Sequence, residues 1–313
     1  MITNEDQVKL AHFKSFTVRH PNYESAIETI HRSAQATFLR GEACCAVLLG
    51  DPGTGKTRIC DHIIAETGKQ KINTDGGGAQ DVRPVIYCRV PPAGTLKGVL
   101  TNMIKCFEAV QCYQSLSALE YRLETLLKSC QTSLIILDEW QHLLRRGAIR
   151  TQENVCDWVK VLTDEFKGHM ILAGTTECEL IINRHSALAS RFPYIAHLEP
   201  FTLDNATNQE IFHKLIGAFS REINATMGFD RTPALTDEKN IFAFYAHTGG
   251  YMRPLRVIFH EALNEAFQRG DYCLLTEDFA NAASHIKSTT SLTTKNPFTL
   301  TLGELEKILF RRI

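Results

Sequence analysis

A glycine-rich octapeptide offers the clearest chemistry in this sequence. Its residues, Gly50, Asp51, Pro52, Gly53, Thr54, Gly55, Lys56 and Thr57, fit the pattern G-x-x-x-x-G-K-[S/T] between an apolar run and a helical pattern. Glycines let consecutive backbone N–H groups point at one phosphate, and the following helix adds its positive N-terminal dipole. The segment therefore predicts a nucleotide phosphate site, in which Lys56 contacts the β- and γ-phosphates and the Thr57 hydroxyl binds Mg²⁺.

A phosphate loop of this kind needs a second, acidic site, and the run LIILDE at residues 134–139 supplies one. A buried strand that ends in Asp138 would place its carboxylate beside the magnesium ion. Glu139, one residue further on, could polarise the attacking water as a general base. The plainer interpretation is a strand followed by an ordinary acidic helix cap. Because the phosphate loop independently requires such a strand, the pattern favours ATP hydrolysis over ATP binding alone.

Two arginines are candidates to complete the site. Arg191 lies in the segment ASRF, just before an apolar run, and Arg253 lies in GGYMRPLR. A guanidinium near the γ-phosphate stabilises transition-state charge, whether it comes from the same chain or from a neighbour. Taken singly, each is more often a surface or salt-bridge arginine.

Short apolar runs and longer amphipathic stretches alternate along the first 200 residues. The apolar runs, each the length of a buried strand, occupy residues 46–49, 85–88, 134–137, 170–173 and 194–198. Helical patterns separate them, which predicts an α/β fold with a parallel five-stranded sheet sandwiched by helices. After Pro200 the strand pattern stops, and residues 205–287 have the pattern of a smaller helical domain.

Composition narrows the class of protein. Hydrophobic residues make up 44% and charged residues 22%, as in folded soluble proteins, and no apolar run is long enough to span a membrane. The ten cysteines show no zinc or disulfide spacing, and the N-terminus lacks a signal-peptide pattern, so we expect a cytoplasmic location. The net charge of −1 neither supports nor excludes nucleic-acid binding.

The motifs together resemble those of the AAA+ ATPases, because GDPGTGKT, LIILDE, the SRF at residues 190–192 and the G-x-x-R at 250–253 occur in that family's order. Within it, the chain is similar to the TniB/TnsC transposition regulators. This second resemblance depends mainly on residues 138–177, DEWQHLLRRGAIRTQENVCDWVKVLTDEFKGHMILAGTTE, followed by LASRF at 188–192. The residue after the acidic pair, Trp140, is larger than the small one typical of the family. The resemblance covers about residues 20–285.

The sequence pattern and the resemblance together predict four regions: an N-terminal helical extension (1–40), an AAA+ nucleotide-binding domain (41–203), a helical lid (204–287) and a C-terminal tail (288–313), which matches no general feature of the family. The tail is either a partner-docking segment or a fraying end. By resemblance, Arg191 is the arginine finger that acts on a neighbour's ATP, and Arg253 is sensor II. Thr175 resembles sensor I, although Thr176 is nearly as good a candidate.

The resemblance also implies partners. The family forms homo-oligomeric rings or filaments on double-stranded DNA with ATP and Mg²⁺. Its members link a target selector of the TniQ/TnsD type to a transposase of the TnsB/TniA type. Candidate DNA contacts are Arg145, Arg146 and Arg150, although charge alone would favour a solvated loop. No base-reading motif is present, so we expect backbone contacts with little sequence preference.

Two other readings remain open from the sequence. A helicase loader of the IstB/DnaC type would share the ATP site and the use of DNA. A signalling ATPase switch would use nucleotide to control partner binding, and DNA would have no part. The distinguishing feature is the arginine cluster at 145–150, to which the signalling reading gives no role.

Overall fold

A computed structural model describes residues 2–68, 82–92, 94–108, 115–144 and 149–310. The chain divides into two compact units, which we call the α/β unit and the helical unit. The α/β unit comprises Asn22–Pro52 and Lys56–Leu198. The helical unit comprises Met1–Pro21, Gly53–Gly55 and Glu199–Ile313.

The α/β unit is built on one parallel sheet of five strands. The strands are β1 (Ala46–Leu49), β2 (Val85–Arg89), β3 (Leu134–Asp138), β4 (His169–Gly174) and β5 (Tyr194–His197). Their order across the sheet is β2-β3-β4-β1-β5, and every neighbouring pair is parallel. The predicted fold class, a parallel five-stranded sheet flanked by helices and followed by a helical region, is confirmed.

Apolar residues cover both faces of this sheet, which explains why its central strands read as continuous apolar runs. Every residue of β1, β3 and β4 is buried. The helices of this unit are α2 (Pro21–Arg40), α3 (Lys56–Thr67), α4 (Leu96–Lys105), α5 (Leu116–Ser129), α6 (Ile149–Glu165), α7 (Cys178–Arg184) and α8 (Ser186–Ala189). Helices α2 and α3 contribute to the core on one face, and α4 to α8 contribute to the core on the other.

The helical unit has a core rich in phenylalanine. Its helices are α1 (Asn4–Ser15), α9 (Ala206–Thr226), α10 (Glu238–Thr248), α11 (Met252–Arg269), α12 (Thr276–His285) and α13 (Leu302–Phe310), with a 3₁₀ turn at Pro297–Thr299. The rings of Phe244 and Phe259 stack with their centroids 4.7 Å apart, and Phe279 and Phe298 pack edge-on against Phe244. These ring contacts tie α10, α11, α12 and the 3₁₀ turn into one core.

The two ends of the chain contribute to this core. Phe13 of α1 is 1% exposed, and the Arg256 guanidinium of α11 donates to the carbonyl of Phe16 at 2.5 Å. Near the other end, Phe298 and Leu305 are buried in the same cluster. The stretch 1–40, which the sequence predicts as one extension, is therefore shared, since α1 belongs to the helical unit and most of α2 to the α/β unit.

None of the helices in the described part of the chain combines the length and the apolar character that crossing a bilayer requires.

Candidate nucleotide-binding site

The sheet order brings three predicted segments to one edge of the α/β unit. In the order β2-β3-β4-β1-β5, strand β4 lies between β1 and β3. The strands are parallel, so the residues that follow β1, β3 and β4 all leave the sheet at its C-terminal edge. The Gly50 N–H donates to the carbonyl of Gly174 at 3.2 Å, which joins the glycine loop to the end of β4. Ligands bind at this edge in open α/β sheets.

The glycine loop has the backbone that its sequence predicts. Gly53 and Gly55 adopt φ angles of +92° and +114°, which residues with side chains rarely adopt. Helix α3 begins at Lys56, so the N–H groups of its first turn have no carbonyl partner within the helix. A helix start that follows a glycine turn suits the binding of an anion. These residues fit a nucleotide phosphate.

Lys56 lies among carboxylates. Its Nζ donates to the carbonyls of Gly50 at 2.5 Å and of Asp51 at 3.1 Å. Burial lowers the pKa of Lys56, while the negative charges of Asp138, Glu139 and Asp51 act in the opposite direction. The structure therefore brings the lysine near both predicted acidic residues. This combination of one lysine, carboxylates and a helix N-terminus fits a magnesium nucleotide.

Asp138 is held by two hydrogen bonds at the end of β3. It is 4% exposed, its Oδ1 accepts from the Glu139 N–H at 2.8 Å, and its Oδ2 accepts from the hydroxyl of Tyr87. Tyr87 pairs with Ile136 across β2 and β3, and alternate residues of a strand share a face, so Tyr87 and Asp138 lie on the same side of the sheet. Tyr87 is not recognisable from the sequence, because its role depends on which strand lies beside β3.

Glu139 begins a tight turn. Its φ of +61° is uncommon for a residue with a side chain, and a 3₁₀ helix, Trp140–Leu144, follows at once. The Gln141 side chain donates from Nε2 to Glu139 Oε2, and its Oε1 accepts from the Thr175 N–H at 3.2 Å. Trp140 is fully buried and fixes the start of the 3₁₀ helix in the core. Gln141 is a second residue of the site that is not among those predicted from the sequence.

The two threonines after β4 contact different parts of the site. Thr175 is joined to Gln141 through its backbone N–H, and its hydroxyl is buried with no hydrogen-bond partner among the described residues. The Thr176 hydroxyl is exposed and donates to Asp51 Oδ1 in the glycine loop at 3.5 Å. Both threonines therefore lie at the edge that carries Gly50, and Thr176 extends toward the glycine loop.

Arg191 lies at the other edge of the sheet. Its carbonyl accepts from the N–H of Cys45, which precedes β1, whereas the glycine loop follows β1. The extended chain between Cys45 and Gly50 spans roughly 16 Å. The Arg191 guanidinium forms a bidentate pair with Asp164 of α6, with distances of 2.8 and 3.1 Å, and also donates to Ala187 and Ser190. The structure does not bring Arg191 together with Lys56 and Asp138.

Arg253 belongs to the helical unit, at the start of α11. Its backbone N–H donates at 2.9 Å to the carbonyl of Gly53, a loop residue that groups with this unit. Its side chain is exposed, and no acidic side chain in the described residues forms an ion pair with it. Gly250, three residues earlier, must be glycine, because an added Cβ would lie 2.0 Å from the Phe201 carbonyl.

The predicted DNA-contact residues are only partly described. Arg150 is exposed in the first turn of α6. Arg145 and Arg146 lie outside the described residues.

Comparison with known proteins identifies a family and a fold. The family model of the bacterial TniB protein matches residues 11–202, which is more than half of the chain. No curated protein sequence matches the chain. Among solved structures, the chain is similar to Cdc6p from Pyrobaculum aerophilum, with a TM-score of 0.65, 15% identity, and coverage of 93% of this chain and 74% of that one.

Two structures from Aeropyrum pernix share the fold. For the ORC1 protein in complex with DNA, the TM-score is 0.64 at 17% identity, covering 91% of this chain and 70% of that chain. For the ORC2 protein in ADPNP-ADP complexes, the TM-score is 0.59 at 14% identity, covering 83% and 67%. The glycine loop, the acidic end of β3 and this fold are those of an AAA+ ATPase, and the chain belongs to the TniB family.

Proposed function

We propose that the protein is an ATP-dependent, DNA-binding transposition regulator that oligomerises on target DNA. In this role it links a target selector of the TniQ/TnsD type to a transposase of the TnsB/TniA type, and ATP hydrolysis controls disassembly. Membership of the TniB family supports the transposition role. The DNA role is supported by ORC1 of Aeropyrum pernix, which has this fold and was solved in complex with DNA. A cytoplasmic location is part of the proposal.

One observation carries the oligomeric part of the proposal, namely the distance between Arg191 and the glycine loop. An arginine at the N-terminal edge of the sheet cannot reach a phosphate held by Lys56 at the C-terminal edge of the same sheet. A head-to-tail arrangement of subunits would bring one subunit's Arg191 to the next subunit's nucleotide. Such heterologous contacts generate rings or helical filaments. ATP then stabilises the joint between subunits.

Within one subunit, we assign phosphate binding to Gly50, Asp51, Pro52, Gly53, Thr54, Gly55, Lys56 and Thr57. Thr57 and Asp138 would hold Mg²⁺, and Tyr87 fixes one oxygen of the Asp138 carboxylate. The ion, when bound, neutralises charge on the β- and γ-phosphates. Glu139 would accept a proton from the attacking water. Thr175 and Arg253 are assigned to γ-phosphate contacts at the end of β4 and at the start of α11.

The proposal is tested by electron microscopy and sedimentation with duplex DNA, Mg²⁺ and a slowly hydrolysed ATP analogue. Rings or filaments that need both nucleotide and DNA are the expected result, and Lys56→Ala should abolish them. A monomer under all conditions would refute the trans-acting role of Arg191. Assembly with nucleotide but without DNA would favour a signalling switch. Recruitment of a helicase in place of a transposase would favour a loader of the IstB/DnaC type.

The DNA contacts need a separate test. Arg145→Ala/Arg146→Ala and Arg150→Ala should each weaken binding to duplex DNA and reduce the slope of log affinity against log salt by roughly one per lost phosphate contact. ATP binding should be unchanged. Lys214→Ala is the matched control, because Lys214 is an exposed cation of α9 that is paired with Glu210. Equal DNA affinity of all the variants at matched salt would remove these arginines from the interface.

A further inference from the structure

The Gln141 side chain joins two segments of the nucleotide edge. Its Nε2 donates to Glu139 Oε2, which follows β3, and its Oε1 accepts from the Thr175 N–H, which follows β4. Strands β3 and β4 are neighbours with a fixed parallel register, from Leu134 opposite His169 to Leu137 opposite Leu172. The position of the Thr175 N–H is therefore set by the sheet, and Gln141 links the Glu139 carboxylate to it through two hydrogen bonds.

The surrounding residues are shaped for this contact. Gly174 does not have a positive φ, so its conformation does not require glycine. An added Cβ there would instead lie 2.9 Å from Gln141 Oε1 and 2.5 Å from Cys178 Sγ. The lack of a side chain at residue 174 lets the Gln141 amide approach the end of β4.

The 3₁₀ helix that carries Gln141 is anchored on both sides. Trp140 is fully buried before Gln141, and the His142 ring after it forms a hydrogen bond from Nδ1 to the Val90 carbonyl at 2.7 Å. The added Cβ at Gly174 would also lie 3.3 Å from Trp140 Cβ, so the helix start packs closely on β4. Gln141 thus projects from a rigid base. Its amide orientation is set by Glu139, which accepts from Nε2, and by the Thr175 N–H and the Cys178 thiol, which donate to Oε1.

We propose that Gln141 is a positioning residue that holds the Glu139 carboxylate for its role as a base. This inference deepens the proposed function and depends on the assignment of Glu139. A free glutamate side chain samples many rotamers, and fixing one oxygen restricts it to few. With Oε2 bound to Gln141, Oε1 remains to accept a proton from water. A displacement of about 1 Å in such a group can cost about 100-fold in rate.

Gln141→Met tests the proposal, because methionine keeps the length of the side chain and removes the hydrogen bonds of the amide. We expect kcat to fall about tenfold while the nucleotide Kd stays within about twofold, since a positioning residue acts on the chemical step. Gln141→Asn, which is too short to bridge the two partners, should lose a similar amount. Single-turnover hydrolysis on saturating duplex DNA separates the chemical step from assembly.

A matched control is the same substitution at a glutamine far along the chain. Gln209→Met removes the hydrogen bond from Gln209 Nε2 to the Leu203 carbonyl in the helical unit and leaves the Gln141 contacts in place. It should keep kcat within about twofold of the wild type. Hydrogen–deuterium exchange without nucleotide gives a second readout: the Thr175 amide should exchange faster in Gln141→Met and at the normal rate in Gln209→Met. Equal loss of kcat in both variants, or unchanged Thr175 exchange in Gln141→Met, would overturn the inference.

Glu139→Gln separates failure of this inference from failure of the proposed function. If Glu139→Gln hydrolyses ATP at the wild-type rate, the assignment of Glu139 is wrong, and the role of Gln141 fails with it. If Glu139→Gln loses hydrolysis while Gln141→Met keeps kcat within twofold, the assignment of Glu139 stands and only the positioning role is refuted.

Discussion

The two edges of the sheet in the α/β unit hold their functional groups in different ways. At the C-terminal edge, Asp138 is 4% exposed and bound to Tyr87, and Glu139 is bound to Gln141. At the N-terminal edge, Arg191 is held by Asp164, an exposed carboxylate on the surface of α6, beside an open cleft of about 630 Å³. The first arrangement is fixed by strand register, whereas the second is an ion pair open to solvent.

This difference follows from what each edge is proposed to do. Groups that act on the subunit's own nucleotide gain from a rigid, partly dehydrated network, because no reorganisation is then needed during the reaction. A group that acts on a neighbour's nucleotide must leave its partner when the subunits meet. A surface ion pair stabilises the protein by only about 0–1 kcal/mol, so Arg191 can leave Asp164 for the neighbour's nucleotide at small cost in free energy. The hydrogen bond to Asp164 holds the Arg191 pKa above its usual range. An arginine is charged at neutral pH with or without such a partner.

The largest expected effect is at the C-terminal edge. Glu139→Gln removes the proposed base and should lower kcat by at least about 100-fold, while ATP binding and assembly on DNA persist. Single-turnover hydrolysis and binding of a fluorescent ATP analogue measure the two parts separately. Undiminished hydrolysis would show that another group accepts the proton.

Arg191→Ala should lower hydrolysis by about 30-fold or more, because the arginine is proposed to act on the nucleotide of the neighbouring subunit. Mixing the Arg191→Ala and Glu139→Gln proteins should restore activity. An interface between subunits has both intact groups when the Arg191→Ala subunit holds the nucleotide and supplies Glu139, and the Glu139→Gln subunit supplies Arg191. In an equal and random mixture, about a quarter of the subunit interfaces in a head-to-tail oligomer are of this kind. Absence of any restoration in mixtures that assemble normally would contradict action in trans.

Tyr87→Phe should have an intermediate effect. The substitution removes the hydroxyl that donates to Asp138 Oδ2 and keeps the ring. We expect the Mg²⁺ concentration for half-maximal hydrolysis to rise about three- to tenfold, because one lost hydrogen bond to a charged group costs about 1.5–3 kcal/mol at most and the carboxylate keeps its bond to the Glu139 N–H. A magnesium titration at saturating ATP measures this shift. An unchanged titration would mean that Tyr87 serves the packing of β2 alone.

Asp164→Asn should have the smallest effect, and it should favour assembly, whereas the preceding substitutions impair hydrolysis. The free energy of unfolding should change by less than about 1 kcal/mol, because the pair is exposed. Release of Arg191 should lower the protein concentration needed for nucleotide-dependent assembly about two- to fivefold. Analytical ultracentrifugation with the ATP analogue measures that concentration, with Lys128→Ala, which removes the exposed Lys128–Glu124 pair of α5, as the matched control. A higher concentration for Asp164→Asn than for the control would show that the pair supports assembly.

The sequence alone predicts the parts of this protein that depend on neighbours in the chain. The five strands appear as short apolar runs because both faces of the sheet are buried. The glycine loop is recognisable because Gly53 and Gly55 need positive φ angles, and Lys56 and Thr57 follow at fixed positions. A strand that ends in an acidic pair is likewise a local pattern.

Only the tertiary structure decides which of these parts meet. Strand order places β4 between β1 and β3, which brings Thr175 and Thr176 to the glycine loop. Arg191 precedes β5, which runs parallel to β1, so it lies at the opposite edge. Tyr87 carries no local signal, because its partner Asp138 lies on the neighbouring strand. The bridging role of Gln141 is also visible only once Thr175, which follows β4, lies beside Glu139. The N-terminal 40 residues likewise look like one helical stretch, yet Phe13 packs with the phenylalanines of the helical unit and Ile27 packs against the sheet. Periodicity shows that a face is apolar, but only the assembled core determines which surface that face covers.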